Sequence, residues 1–239
     1  MKYDKIVPAR FLSRPNRFVA IVDLNGKEVS VHVKNTGRCR ALLVPNAVVY
    51  LEDFSYRQGK RKLIYDLIAV QKGDLLINMD SQAPNKVVKE ALENGSIQLP
   101  GMSELTVIRP EKVYDDSRFD FYIEDKNGEN GFLEVKGVTL ENDSIASFPD
   151  APTERGVKHI KELVNAIENG YHGYMLFVIQ MSGMKLFTPN DVTHKAFGDS
   201  LRYASERGLH ILAYECAVMP DSLEIAGAVP IELNMGVLK

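Results

Sequence analysis

The chain has 239 residues, 45% of them hydrophobic and 26% charged, a soluble composition with room for two cores. No apolar run approaches a membrane span, and Met1 to Ile6 lacks the apolar region of a signal segment. Two cysteines, Cys39 and Cys216, exclude a disulfide framework or an all-cysteine zinc site, so a reducing cytoplasm is the expected compartment.

The first part of the chain predicts an all-β domain. Arg17 to Leu24 is strand-like and Asn25-Gly26 is a strong hairpin signal. Val29–Val33 alternates, and Val48–Leu51, Leu63–Val70 and Leu75–Asn78 supply further strands. Five short strands fit a small closed barrel, with an oligonucleotide-binding barrel leading. Charge agrees. Residues 1–72 carry 14 Lys and Arg against 6 Asp and Glu, a net +8, while the rest carries 15 against 26, a net −11. A basic first part suggests contact with a polyanion, and mutual attraction between the two parts is the alternative. Arg14, Arg17, Arg38 and Arg40 sit in or beside loops, and Arg57, Lys60, Arg61 and Lys62 form a basic turn after Phe54 and Tyr56. Such groups can contact phosphates and stack on bases. Asn35-Thr36-Gly37-Arg38 could leave backbone amides open to an anion.

The second part, from about Asp80, predicts an α/β domain. Asn85–Glu93 reads as a helix stopped at Asn94-Gly95, Leu105–Arg109 as a strand, and a hairpin follows that extends to Leu140. Thr153 is placed to cap a helix over Glu154–Asn169, ended by Gly170. Tyr174–Gln180 is continuously apolar up to Gln180, as in a central strand. A helix over Ser200–Arg207, ended by Gly208, and a strand over Leu209–Cys216 complete the order. Ala146–Gly156 holds two prolines and reads as a long loop at a substrate rim. It delivers Arg155 to a helix start, where positive charge opposes the helix dipole and an anionic partner would explain it.

The hairpin carries the chemistry. Ser117 to Gly137 reads S-R-F-D-F-Y-I-E-D-K-N-G-E-N-G-F-L-E-V-K-G. A turn centred on Asn127 puts Asp120 opposite Glu134, and strand alternation puts Lys136 on the face of Glu134. A slip of one residue would send Asp120 to the far face. With the register held, Asp120 and Glu134 are hard oxygen ligands for Mg²⁺ or Mn²⁺, and Lys136 can orient a nucleophile or offset transition-state charge. Phe119, Phe121, Phe132, Leu133 and Val135 surround the charges, and charges in such a setting need partners. Gln180 could reach the same site, and His159 could serve as an auxiliary proton carrier. The alternative for both is an ordinary structural role.

Several segments together resemble the sugar fermentation stimulation protein A family over essentially the whole chain. They are N-R-F at Asn16–Phe18, H-V-K-N-T-G-R at His32–Arg38, S-R-F-D-F at Ser117–Phe121, F-L-E-V-K-G-V-T-L at Phe132–Leu140, F-P-D-A-P-T-E-R-G-V-K-H at Phe148–His159 and F-V-I-Q at Phe177–Gln180. The resemblance implies an oligonucleotide-binding-like barrel over residues 1–80 and a PD-(D/E)XK restriction-endonuclease-like domain over 81–239. Asp120 matches the first acidic position, Glu134 and Lys136 the E-x-K pair, and Gln180 a polar position common in related nucleases. It further implies DNA as partner, with RNA open, and a Mg²⁺- or Mn²⁺-dependent nuclease-like site. The alternative is a non-catalytic, sequence-nonspecific DNA-binding regulator linked to maltose metabolism. A sugar-phosphate or nucleotide enzyme lacks a G-x-G-x-x-G or Walker loop.

Overall fold

A computed structural model describes residues 1–35, 37, 39–57 and 61–234. Six strands open the chain: β1 (Ile6–Asn16), β2 (Val19–Leu24), β3 (Lys27–Val33), β4 (Val48–Asp53), β5 (Tyr65–Lys72) and β6 (Leu75–Asn78). They are ordered β3-β2-β1-β4-β5-β6, and a parallel pairing of β3 with β5 closes β1–β5 into a barrel. Ala20, Val22, Val31, Val49, Leu51 and Leu67 fill it, each fully buried. The five-stranded barrel is as expected, but its membership differs. β1 is a barrel strand that the pattern did not reveal, whereas Leu75–Asn78 pairs only with β5. β1 contains Pro8, Pro15 and two arginines, and only Ala9 and Phe11 are fully inward. Its ladder is broken by register shifts beyond Phe11, so the alternation is lost.

The second part holds α1 (Ala83–Glu93), β7 (Leu105–Tyr114), β8 (Ser117–Asp125), β9 (Asn130–Val138), β10 (Leu140–Asn142), β11 (Ile145–Phe148), α2 (Glu154–Glu168), β12 (His172–Ile179), β13 (Leu186–Pro189), α3 (Asp191–Ser205), β14 (His210–Met219) and β15 (Ser222–Ala228). The main sheet runs β15-β14-β12-β9-β8-β7, with β9, β12 and β14 parallel. α1 buries Val87, Val88, Ala91 and Leu92 on one face, packed in one core with Phe121, Leu133 and Leu176. α2 and α3 cover the other face over Phe119, Phe132 and Phe177. The expected elements are present, with β7 and α3 longer than read. α3 begins at Asp191, not Ser200, with Asn190 as its cap. Non-helical angles at His194 (φ −154°, ψ 83°) break its first turns and disguise the start. Four further strands emerge: β15 at an edge of the main sheet, and β10, β11 and β13, which form a three-stranded sheet in the order β10-β11-β13 with β11 running into the expected loop.

The two parts are joined by hydrogen bonds. Asn78 N donates to Gln180 O at 2.9 Å, and Lys72 Nζ reaches Glu141 at 2.6 Å. Lys34 pairs with the fully buried Asp80 at 2.7 Å. Met1 to Tyr3 lie against the second part: Lys2 bridges to Ser222 and Tyr3 N donates to Asp221 O at 2.8 Å. Among the described residues no helix is long and apolar enough to cross a membrane.

Candidate metal centre and nucleic-acid interface

The hairpin has the register that the sequence predicted. β8 and β9 pair from Glu124 with Asn130 to Phe121 with Leu133, which carries Asp120 to the level of Glu134. Asp125 fixes the turn: its carboxylate accepts from Asn127 N at 2.8 Å, Glu129 N at 3.0 Å and Ser103 Oγ at 2.6 Å. Gly128 adopts φ 86°, which glycine takes without strain. At Asp120 the strand ladder gives way to the side chain. Asp120 Oδ2 accepts from Val135 N at 2.8 Å, and Oδ1 accepts from Asn85 Nδ2 of α1 at 2.7 Å.

Glu134 is buried, with only 3% of its surface exposed. Its Oε1 accepts from both the Lys136 ammonium and His159 Nδ1. Arg155 Nε donates to His159 Nε2 at 3.3 Å, so the imidazole proton lies on Nδ1, facing Glu134. Glu134 Oε2 is buried and has no hydrogen-bond partner among the described residues. An unpaired buried carboxylate oxygen is costly. Burial works to raise the Glu134 carboxyl, but the His159 hydrogen bond and the Lys136 charge outweigh it, and the group lies below the usual carboxylate range. Asp120 moves the other way. Burial and the neighbouring Glu134 charge raise it, against the Val135 amide, Asn85 and Lys136. The two carboxylates thus interact, and one is held ionised at the other's expense.

Asp120, Glu134 and Lys136 are therefore gathered as expected, together with two groups outside the predicted set. His159 was weighed only as a proton carrier or a structural residue, and its contact is with the carboxylate. Asn85 gave no signal, since a polar residue early in a helix is ordinary. Gln180 is not gathered with them: its Nε2 donates to Asn78 Oδ1 at 2.8 Å and Asp80 O at 3.1 Å, at the junction with the barrel. Among the described residues, no three His, Cys, Asp or Glu side chains are grouped to hold a metal ion.

The basic residues divide. Arg17 and Arg40 are exposed, and Arg17 lies 5.8 Å from the ring of Phe18, itself 51% exposed. Arg57 is ion-paired with Asp4 at 2.6 Å and lies 4.8 Å from the Phe54 ring. Arg61 pairs with Asp66 and lies 4.1 Å from the same ring. Arg14 is a tie between loops, donating to Gly37 O at 2.8 Å and to Arg17 O and Asn35 O at 2.7 Å. Arg155 is exposed beside the acidic centre. Arg38 and Lys60 lie outside the described residues.

Comparison with known proteins fits this architecture. Residues 12–79 match the family model described as the SfsA N-terminal OB domain, and residues 82–222 that of the sugar fermentation stimulation protein RE domain. The chain is 51% identical to the sugar fermentation stimulation protein homolog of Clostridium beijerinckii, covering 98% of this chain and 100% of that one. The homolog of Desulfitobacterium hafniense is 52% identical, over 99% and 100%. The solved structure of Pyrococcus furiosus SfsA in complex with Ca²⁺ superposes with a TM-score of 0.85 at 25% identity, over 97% of this chain and 98% of that one.

Proposed function

The chain belongs to the sugar fermentation stimulation protein family, and we propose that it is a nucleic-acid-binding protein with a divalent-metal-dependent phosphodiesterase site at Asp120, Glu134 and Lys136. The observation that carries this reading is Glu134 Oε2, buried and unpaired beside a lysine and a second carboxylate. A purely structural ion pair would have no use for it. Asp120 and Glu134 would hold the cation, and a two-carboxylate site suits Mg²⁺, which keeps several waters and shares the substrate's phosphate oxygens. Once bound, the cation lowers the pKa of a water and offsets charge on the phosphate. The Pyrococcus furiosus relative was solved with Ca²⁺, another oxygen-seeking cation, which supports a divalent site here.

The chain's own groups have separable tasks. His159 and Lys136 both engage Oε1 of Glu134 and so aim Oε2. The Lys136 side chain, 15% exposed, holds its ammonium against the carboxylate, and it can orient a water or offset charge developing on the phosphate. Arg17, Arg40 and Arg155 supply exposed positive charge for the chain of phosphates, and Phe18 and Tyr56 supply rings for bases. DNA is the preferred substrate and RNA the alternative.

A second reading has its own support. With Lys136 already paired to Glu134 and no group of three metal-binding side chains among the described residues, the acidic set can be a relic in a non-catalytic DNA-binding regulator of sugar metabolism. The test is incubation of pure protein with labelled single- and double-stranded DNA and RNA, with Mg²⁺, Mn²⁺ or EDTA. Cleavage that needs metal and is lost in Asp120→Asn supports the enzyme. Salt-sensitive binding with equal background cleavage by wild type and variant supports the regulator.

A further inference from the structure

The sequence singled out three features that the acidic centre does not use: Asn35 and Gly37, the stretch Phe148–Thr153, and Gln180. The fold brings them together. With Ser81, Gly137 and Thr139 they line a cleft of about 350 Å³ between the barrel and the α/β domain. Gly137 follows Lys136 directly in β9, so the cleft begins one residue along the strand from the acidic centre.

The lining is polar and mostly uncharged. Asp150 is the one charged residue among the described residues that form it, and its sign repels phosphate. The volume is that of a small-molecule site, too small for a duplex. Gln180 is 2% exposed and rigidly held. Its Nε2 is used twice by Asn78 and Asp80, while its Oε1 accepts no hydrogen bond among the described residues. A side chain at position 137 would bring a Cβ within 2.6 Å of that oxygen and 2.9 Å of Pro84. Glycine at 137 thus makes room for the Gln180 carboxamide and Pro84 to pack against the strand at the cleft wall. A fixed acceptor beside Phe148, in a cleft whose described lining carries the single charge of Asp150, suits donors on a flat, uncharged group.

We propose that this interdomain cleft is a nucleobase subsite, in which Gln180 Oε1 accepts a hydrogen bond from the exocyclic amino group of an unpaired base next to the scissile phosphate. The proposal rests on the reading of the substrate as a nucleic-acid strand. It makes Gln180 a specificity-determining residue, and it makes a single strand, not an intact duplex, the form that reaches the acidic centre. A site built around a fixed acceptor discriminates strongly against a partner that lacks the donor.

The test uses the whole protein with Ca²⁺ and a fluorescein-labelled oligothymidylate of about a dozen nucleotides, compared with the same strand carrying one central cytosine. Cytosine offers an amino group where thymine offers a carbonyl oxygen. Wild type should bind the cytosine strand about tenfold tighter. Gln180→Met, which keeps the length and removes the acceptor, should bind both strands alike. Thr139→Tyr, which fills the cleft from its partly exposed rim, should do the same without touching the Gln180 contacts. Unchanged thermal melting of Thr139→Tyr guards against loss of fold. Equal, salt-sensitive binding of both strands by wild type would overturn the subsite while leaving nucleic-acid binding intact. Discrimination that survives both substitutions would move the recognition elsewhere and overturn the assignment to this cleft. Failure of wild type to bind either strand would overturn the subsite together with the reading it rests on.

Discussion

Glu134 is buried and still ionised because two donors hold one of its oxygens, and the same two donors leave the other oxygen free. In the proposed metal site His159 would position a ligand, and such outer groups usually carry about 10- to 100-fold in metal affinity. His159→Ala should weaken Mn²⁺ binding by about that factor in calorimetric titration, with folding retained. Unchanged affinity would reduce the imidazole to a core residue. Asp125 offers a second test, away from the metal. Hydrogen bonds from Ser103, then from the Asn127 and Glu129 amides, hold its carboxyl down at about 2, against 3.8 ordinarily. A carboxyl depressed in the folded state stabilises the fold above its unfolded pKa and loses that contribution as pH falls through the folded value. Stability from Asp125 should therefore be complete above about pH 4 and disappear towards about pH 2. Asp125→Asn should be less stable than wild type at neutral pH, with the gap closing over that acid window in urea melts. A gap independent of pH would show that the turn does not depend on the charge.

At the level of elements, the β8–β9 hairpin was legible because its signals agree. The turn composition, the alternation and the placement of Asp120 against Glu134 all give one register, and β8 and β9 adopt it. β1 and β15 were illegible for the opposite reason. Prolines, arginines and register shifts interrupt β1, and β15 is an edge strand that exposes Glu224 and two alanines and buries only Leu223 fully. Tertiary pairing forms both. Asn85 and the true position of Gln180 were invisible for a related reason: each is fixed by a partner far away in sequence, Asp120 for one and Asn78 for the other. The hairpin is held on its α2 side by an aromatic cluster. Phe132 lies 4.9 Å from Tyr114, 5.1 Å from Tyr171 and 5.3 Å from Phe119, centroid to centroid. Phe132→Ala should cost about 3–5 kcal/mol in denaturant unfolding, because it leaves a ring-sized void among three packed rings. A loss below about 1 kcal/mol would mean that the cluster collapses around the void.

For the whole molecule, the charge asymmetry proved an imperfect guide to free positive charge. Arg57 and Arg61 are spent on Asp4, Asp66 and the Phe54 ring, and Arg14 on loop carbonyls. Arg17 and Arg40 remain exposed, and the proposed contact with phosphates falls to them. Replacing both with alanine should lower the slope of log affinity against log salt by about two and weaken binding to unrelated sequences alike. An unchanged slope would place the polyanion surface elsewhere. Whether the acidic centre performs chemistry is decided by single-turnover cleavage of labelled single-stranded DNA in Mn²⁺ by wild type and Lys136→Ala. A lysine that serves the transition state more than binding leaves the variant binding DNA and Mn²⁺ nearly as wild type does, while its cleavage rate should fall about 100-fold or more. Equal rates in the two proteins would contradict a catalytic centre at Asp120, Glu134 and Lys136.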